Sequence, residues 1–114
     1  MSSEETVAVD TETQTTTRRA SRPKRQPRYH VILWNDDDHS FEYVIRMMRK
    51  LFGYPLERGL QIAEEVHTKG RAICLTTTRE HAELKRDQIH AFGPDRLVAD
   101  CKGAMWATIE PVDE

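Results

Sequence analysis

The stretch Tyr29-His30-Val31-Ile32-Leu33-Trp34-Asn35-Asp36-Asp37-Asp38-His39 decides how this chain folds. Its first six residues are aromatic, β-branched or aliphatic apart from His30, which predicts a β-strand. Beyond the polar residues that follow, Phe41, Val44, Ile45, Met48, Leu51 and Phe52 recur at helical spacing, with Arg46, Arg49 and Lys50 on the other face. An amide and three carboxylates are therefore packed into a strand-to-helix corner, where side chains converge and backbone donors lie free. Such a corner suits a cation, and two classes fit: a metal ion or an ammonium group.

Outward from that corner the pattern continues. Ser40, His39 or Asp38 serves as the helix N-cap, and Gly53 stops the helix. Pro55 suits the first turn of a second helix, which carries Leu56, Leu60, Ala63 and His67 on one face with Ile62 and Val66 beside it, and ends at Lys69-Gly70. Ala72 to Thr76 reads as a strand, and Thr78 caps a third helix from about Arg79 to Phe92, terminated by Gly93-Pro94. The segments Arg96–Cys101 and Ala104–Ile109 flank Lys102-Gly103 and read as a β-hairpin. The order β-α-α-β-α-β-β predicts a single small α+β domain, its helices packed on an antiparallel sheet.

The chain has 114 residues, enough for one domain. Residues 1–28 have no aromatic side chain and little apolar content beyond Val7 and Val9. They cannot bury enough surface to offset the entropy of ordering, so they are expected to be a disordered N-terminal tail, with the folded domain at 29–111. The tail carries six bases against four acids, a net of +2, while the remainder carries eleven against fifteen, a net of −4. The bases cluster between Arg18 and Arg28. A basic run can mark nucleic-acid binding, but the acidic domain offers no basic face to extend it, and a solvated tether is the simpler reading.

Cys74 and Cys101 lack CxxC spacing and a His cluster, so they read as small core hydrophobes in a reduced compartment. No apolar run approaches the ~18 residues of a membrane span. The start Met1-Ser2-Ser3-Glu4-Glu5 has no apolar signal region, so a cytoplasmic location and no membrane association are expected. No phosphate loop or nucleophile elbow appears, and neither a nucleophile nor a metal is arranged with a base, so the chain is not expected to be an enzyme.

The metal reading fares poorly. Asp36, Asp37 and Asp38 are consecutive, so their carboxylates diverge, and the segment lacks the spacing of an EF-hand. Glu64 and His67 form one ExxH pair on a helix without a second. The ammonium reading fares better. Asn35, Asp36 and a neutral His67 are all acceptors and together suit a protonated amine. Phe41, Val44, Ala63 and Val66 lie beside them on the two helices, so an amino group next to a bulky apolar side chain would fit.

Tyr29-x-Val31-x-Leu33-x-Asn35-Asp36-Asp37, then Glu42-Tyr43-Val44, Val66-His67-x-x-Gly70, Ala82-Glu83-x-Lys85 and Thr108-Ile109-Glu110 together resemble the ClpS family, adaptors of bacterial Clp proteases. The resemblance spans about residues 29–110. It implies an adaptor that binds N-terminal degrons beginning with Leu, Phe, Tyr or Trp and hands them to a AAA+ unfoldase of ClpA or ClpC type. It implies further that Asn35, Asp36 and His67 hold the α-amino group, and that Asp37 and His39 stand at the site entrance. Phe41, Val44, Ala63, Val66 and Met105 would form the hydrophobic pocket, and Glu83 and Lys85 would contact the unfoldase. No cofactor, no nucleic-acid partner and a monomer are expected; the alternative is a small metal-binding or nucleic-acid-associated protein using Asp36–Asp38 or the basic tail. The family often has Thr at the position of His39 and Met at those of Phe41 and Ala63. The latter two exchanges offset in volume, stiffening the pocket rim while opening its floor.

Overall fold

A computed structural model describes residues 26–98, 101 and 103–113. Six elements follow one another: β1 (Arg28–Trp34), α1 (Phe41–Phe52), α2 (Leu56–Lys69), β2 (Arg71–Thr78), α3 (Arg79–His90) and β3 (Ala107–Pro111). The strands form one antiparallel sheet in the order β2-β1-β3, with β1 in the middle. That placement explains the apolar run of β1. Val31 and Leu33 point into the core at 0% exposure, and Ile32 between them is buried as well, at 2%.

The core lies between the sheet and the helices. Val31, Leu33 and Cys74 from the sheet meet Tyr43, Met47 and Met48 from α1, Ile62 and Val66 from α2, and Ile89 from α3. Burial pushes the Cys74 thiol up to about 12, so it behaves as a small hydrophobe. Gly59 allows α2 to lie close against α1: a Cβ there would meet the Ile45 Cα at 3.2 Å. Gly70 turns α2 straight into β2 with φ at +88°, a conformation that costs glycine nothing.

Helix starts follow local chemistry. Ser40 is the N-cap of α1, its hydroxyl accepting from the Tyr43 amide at 3.2 Å, and Thr78 caps α3 in the same manner. Pro55 stands at the N-cap of α2 rather than in its first turn. Helix α3 stops at His90, two residues short of the expected end.

The segment before β3 differs from the expected hairpin. Residues 96–98 form a turn, and only three strands occur among the described residues. Asp95 is the cause: its carboxylate takes the Leu97 amide at 2.9 Å and its carbonyl takes the Val98 amide at 3.3 Å, removing donors that a ladder needs. Cys101 consequently sits half-buried in a loop, not in a strand core. The last strand pairs instead with the free edge of β1, from Tyr29 opposite Pro111 to Leu33 opposite Ala107. The tail expected over residues 1–28 lies outside the described residues up to position 25, as do Ala99, Asp100 and Lys102 of the expected hairpin.

Candidate functional site

The corner after β1 is fastened at several points. The Trp34 amide donates to the Trp106 carbonyl and the Asn35 amide to the Gly70 carbonyl, both at 3.0 Å, which brings the loop before β3 and the end of α2 alongside. The Asp36 carboxylate folds back over its own turn and accepts from the Asp38 amide at 2.9 Å. These contacts place Asn35 and Asp36 next to His67 on the last turn of α2.

A cavity of about 230 Å³ opens there. It is lined by Asn35, Asp36, Asp37, His39, Ser40 and Phe41, and on its apolar side by Val44, Ala63, Val66, His67 and Met105. Ten residues named from the sequence for the amino-group site, the entrance and the apolar pocket therefore border one space. Val44, Ala63, Val66 and Met105 are nearly fully buried and form the floor. Phe41 is 38% exposed and meets the exposed His67 edge to face, with ring centroids 5.5 Å apart, so the pair makes a rim. Asn35 and Asp37 are exposed at the mouth.

His39 is not at the mouth. Its side chain is 3% exposed, its ring lies 4.5 Å from that of Tyr43, and its Nδ1 is 2.8 and 2.9 Å from the two oxygens of Asp36. Beside it Asp95, buried at 2% exposure, accepts from the amide and hydroxyl of Ser40 at 2.7 and 2.8 Å. Burial works to raise the Asp95 pKa, but the hydrogen bonds from Ser40 and Leu97, aided by His39, outweigh it and hold the carboxyl below the ordinary range. Burial likewise pushes the Tyr43 phenol up to about 12, so it stays neutral and donates to the Gly93 carbonyl at 2.6 Å. Sequence reading missed Asp95 because its partners are 55 positions away; the one local signal was an acid placed directly after Gly93-Pro94.

Chemically, the cavity joins a hydrogen-bond-accepting corner to an apolar hollow large enough for one side chain. Among the described residues no group of three His, Cys, Asp or Glu side chains is placed to hold a metal ion. Asp36 is engaged by its own turn and by His39, while Asp37 and Asp38 are exposed. A wider depression of about 660 Å³, lined by Arg46, Lys50, Leu51, Phe92 and Arg96 among others, would repel an ammonium group. Glu83 and Lys85 do not line the cavity. Glu83 pairs with Arg79 at 3.1 Å, and Lys85 donates to the Leu51 carbonyl and lies against the Phe52 ring. No helix among the described residues is long and apolar enough to cross a membrane.

Residues 24–96 match the family described as ATP-dependent Clp protease adaptor protein ClpS. A ClpS adapter of Xanthomonas campestris pv. campestris (strain 8004) is 41% identical over 66 residues, which are 58% of this chain and 62% of that relative's length. One of Xanthomonas oryzae pv. oryzae (strain MAFF 311018) is 40% identical over 75 residues, 64% of this chain and 71% of the relative. The fold also matches Agrobacterium tumefaciens ClpS2 bound to L-phenylalaninamide, with a TM-score of 0.67 and 25% identity, covering 77% of this chain and all of that one. The family match extends over well over half of the chain, and the chain spans less than two thirds of the length of the first of these relatives. The chain belongs to the ClpS family.

Proposed function

We propose that this chain is an adaptor that binds proteins through a free α-amino group and a bulky first residue, Leu, Phe, Tyr or Trp, and delivers them to a AAA+ Clp unfoldase of ClpA or ClpC type. The observation that carries the reading is the single cavity in which acceptors at Asn35, Asp36 and His67 adjoin the apolar floor of Val44, Ala63, Val66 and Met105. The ligand of the Agrobacterium relative, L-phenylalaninamide, pairs an α-amino group with a benzyl side chain, the two features that such a cavity can grip. Asn35, Asp36 and His67 receive the amine, Asp37 lines the approach, and Phe41 covers the side chain from the rim.

Two or three charge-assisted hydrogen bonds contribute ~1.5–3 kcal/mol each and burial of one Leu or Phe ~1.5–3 more. Association costs of roughly 4–15 kcal/mol offset most of that sum, so a micromolar dissociation constant is expected. Specificity arises by difference. A small or β-branched side chain fills the hollow poorly, and an acetylated amine leaves acceptors unpaired. The unfoldase docks on a separate face that includes Glu83, with Lys85 stiffened by its bond to α1, and the segment 1–28 serves as a tether in delivery. The protein works as a cytoplasmic monomer without a cofactor.

The test is fluorescence anisotropy with labelled peptides beginning with Leu, Phe, Val or acetyl-Leu, against the wild type and Asn35→Ala. Binding of the free Leu and Phe peptides alone, lost in the variant, is expected. Equal binding of acetyl-Leu would refute the amine site.

A further inference from the structure

His39 lines the cavity and is bound at both ring nitrogens. Nδ1 is within 2.9 Å of both Asp36 oxygens, and Nε2 is 2.8 Å from the Gly103 carbonyl oxygen. The two ring nitrogens thus bridge the Asp36 carboxylate and a main-chain carbonyl 64 positions away. A second carboxylate, Asp95, lies on the far side of the corner, and the Cys101 sulfur is 3.5 Å from Nε2. With a side chain 3% exposed, the ring is held by these partners and not by water.

We infer that His39 is a positioning residue that clips the amine-binding corner to the pocket floor. One end fixes the Asp36 carboxylate, which lines the cavity, before any ligand arrives. The other end holds Gly103, two residues before Met105, which is buried at 2% exposure in the floor. Asp95 adds a parallel tie by grasping Ser40 at the start of α1, and its own amide donates to the Cys101 sulfur at 3.2 Å. The loop between α3 and β3 is thus pinned to the corner at two points, and the acceptor site and the apolar hollow form together. A shorter side chain at position 39 would reach one partner or neither. The inference rests on the reading of the cavity as an amino-terminus site.

Two readouts separate this role from simple packing. The first is a double-mutant cycle of His39→Ala and Asp36→Asn in the full chain, read by anisotropy of a Leu-initiated peptide. His39→Ala alone is expected to weaken binding about tenfold or more, the factor one charge-assisted hydrogen bond supplies. In the Asp36→Asn background the same change should cost less than about threefold, because the partner is already altered. The second readout needs no peptide: the rate at which Cys101 reacts with a thiol reagent. Loss of the clip should raise that rate about tenfold or more by local opening, while the fully buried Cys74 stays protected and reports an intact fold. His39→Gln, which keeps the bulk and one donor, gives the same directions if the alanine variant does not fold. Additive effects in the cycle, or an unchanged Cys101 rate, would overturn the inference while leaving the cavity reading intact. A wild type that binds no free amino terminus would overturn the cavity reading itself.

Discussion

Ala63→Leu tests where the ligand's side chain goes. Ala63 is 2% exposed on α2 and faces the 230 Å³ hollow, so the added atoms enter empty space and not the packed core. Three extra carbons, each taking up about the ~30 Å³ share of a water molecule, remove roughly 90 Å³ and leave roughly 140 Å³. That is less than the ~150 Å³ cavity known to accept benzene, so a phenyl ring no longer fits. The contribution at stake is the burial of one Phe side chain, ~1.5–3 kcal/mol, or about 10- to 150-fold in affinity. Stability should hardly change, because filling a void neither strains rotamers nor creates a cavity, so the melting temperature should stay within about 4 °C of wild type. Calorimetry with Phe- and Leu-initiated peptides reads the first effect and differential scanning fluorimetry the second. Unchanged affinity for the Phe peptide in a folded Ala63→Leu variant would refute the assignment of the hollow to the first side chain.

Other perturbations act on the framework. Asp95→Asn removes a buried carboxylate that accepts from Ser40 and Leu97, and should cost about 2–3 kcal/mol at neutral pH. Because the folded-state pKa of Asp95 is held below its ordinary 3.8, this stabilisation is fully present above that value and lost as pH falls through the folded one; the gap between wild-type and variant melting temperatures should close in strong acid. Tyr43→Phe leaves the Gly93 carbonyl without its 2.6 Å donor and should lower stability by about 1–2 kcal/mol, measured by urea denaturation. Gly59→Ala, which would gain about 1 kcal/mol in an exposed helix, should instead destabilise in the same assay, since the new methyl meets Ile45 main chain at 3.2 Å.

The order of the first five elements was legible in the sequence because each has a local cause. β1 shows a continuous apolar run, α1 and α2 a helical stripe, and Gly53 and Gly70 punctuate them. The corner was legible for the same reason, as Asn35 to His39 follow directly on the strand and His67 ends the facing helix. What lay beyond reach was the stretch from Gly93 to Met105. Its conformation depends on Asp95 meeting Ser40 and on His39 meeting Gly103, pairings 55 and 64 positions apart that leave no periodic trace. Two strand-like runs flanking Lys102-Gly103 read as a hairpin, but Asp95 takes the Leu97 and Val98 amides. The burial of the His39 side chain was out of reach for the same reason, since its Gly103 partner lies 64 positions away.

The most direct test of the amino-terminus site is a titration of the ¹⁵N-labelled chain with L-phenylalaninamide, followed by amide chemical shifts. The account predicts saturable shifts confined to Asn35–Val44, Ala63–Gly70 and the residues around Met105, and none with the N-acetylated compound. Shifts centred on Arg46, Phe92 and Arg96, or no shifts at millimolar ligand, would contradict it.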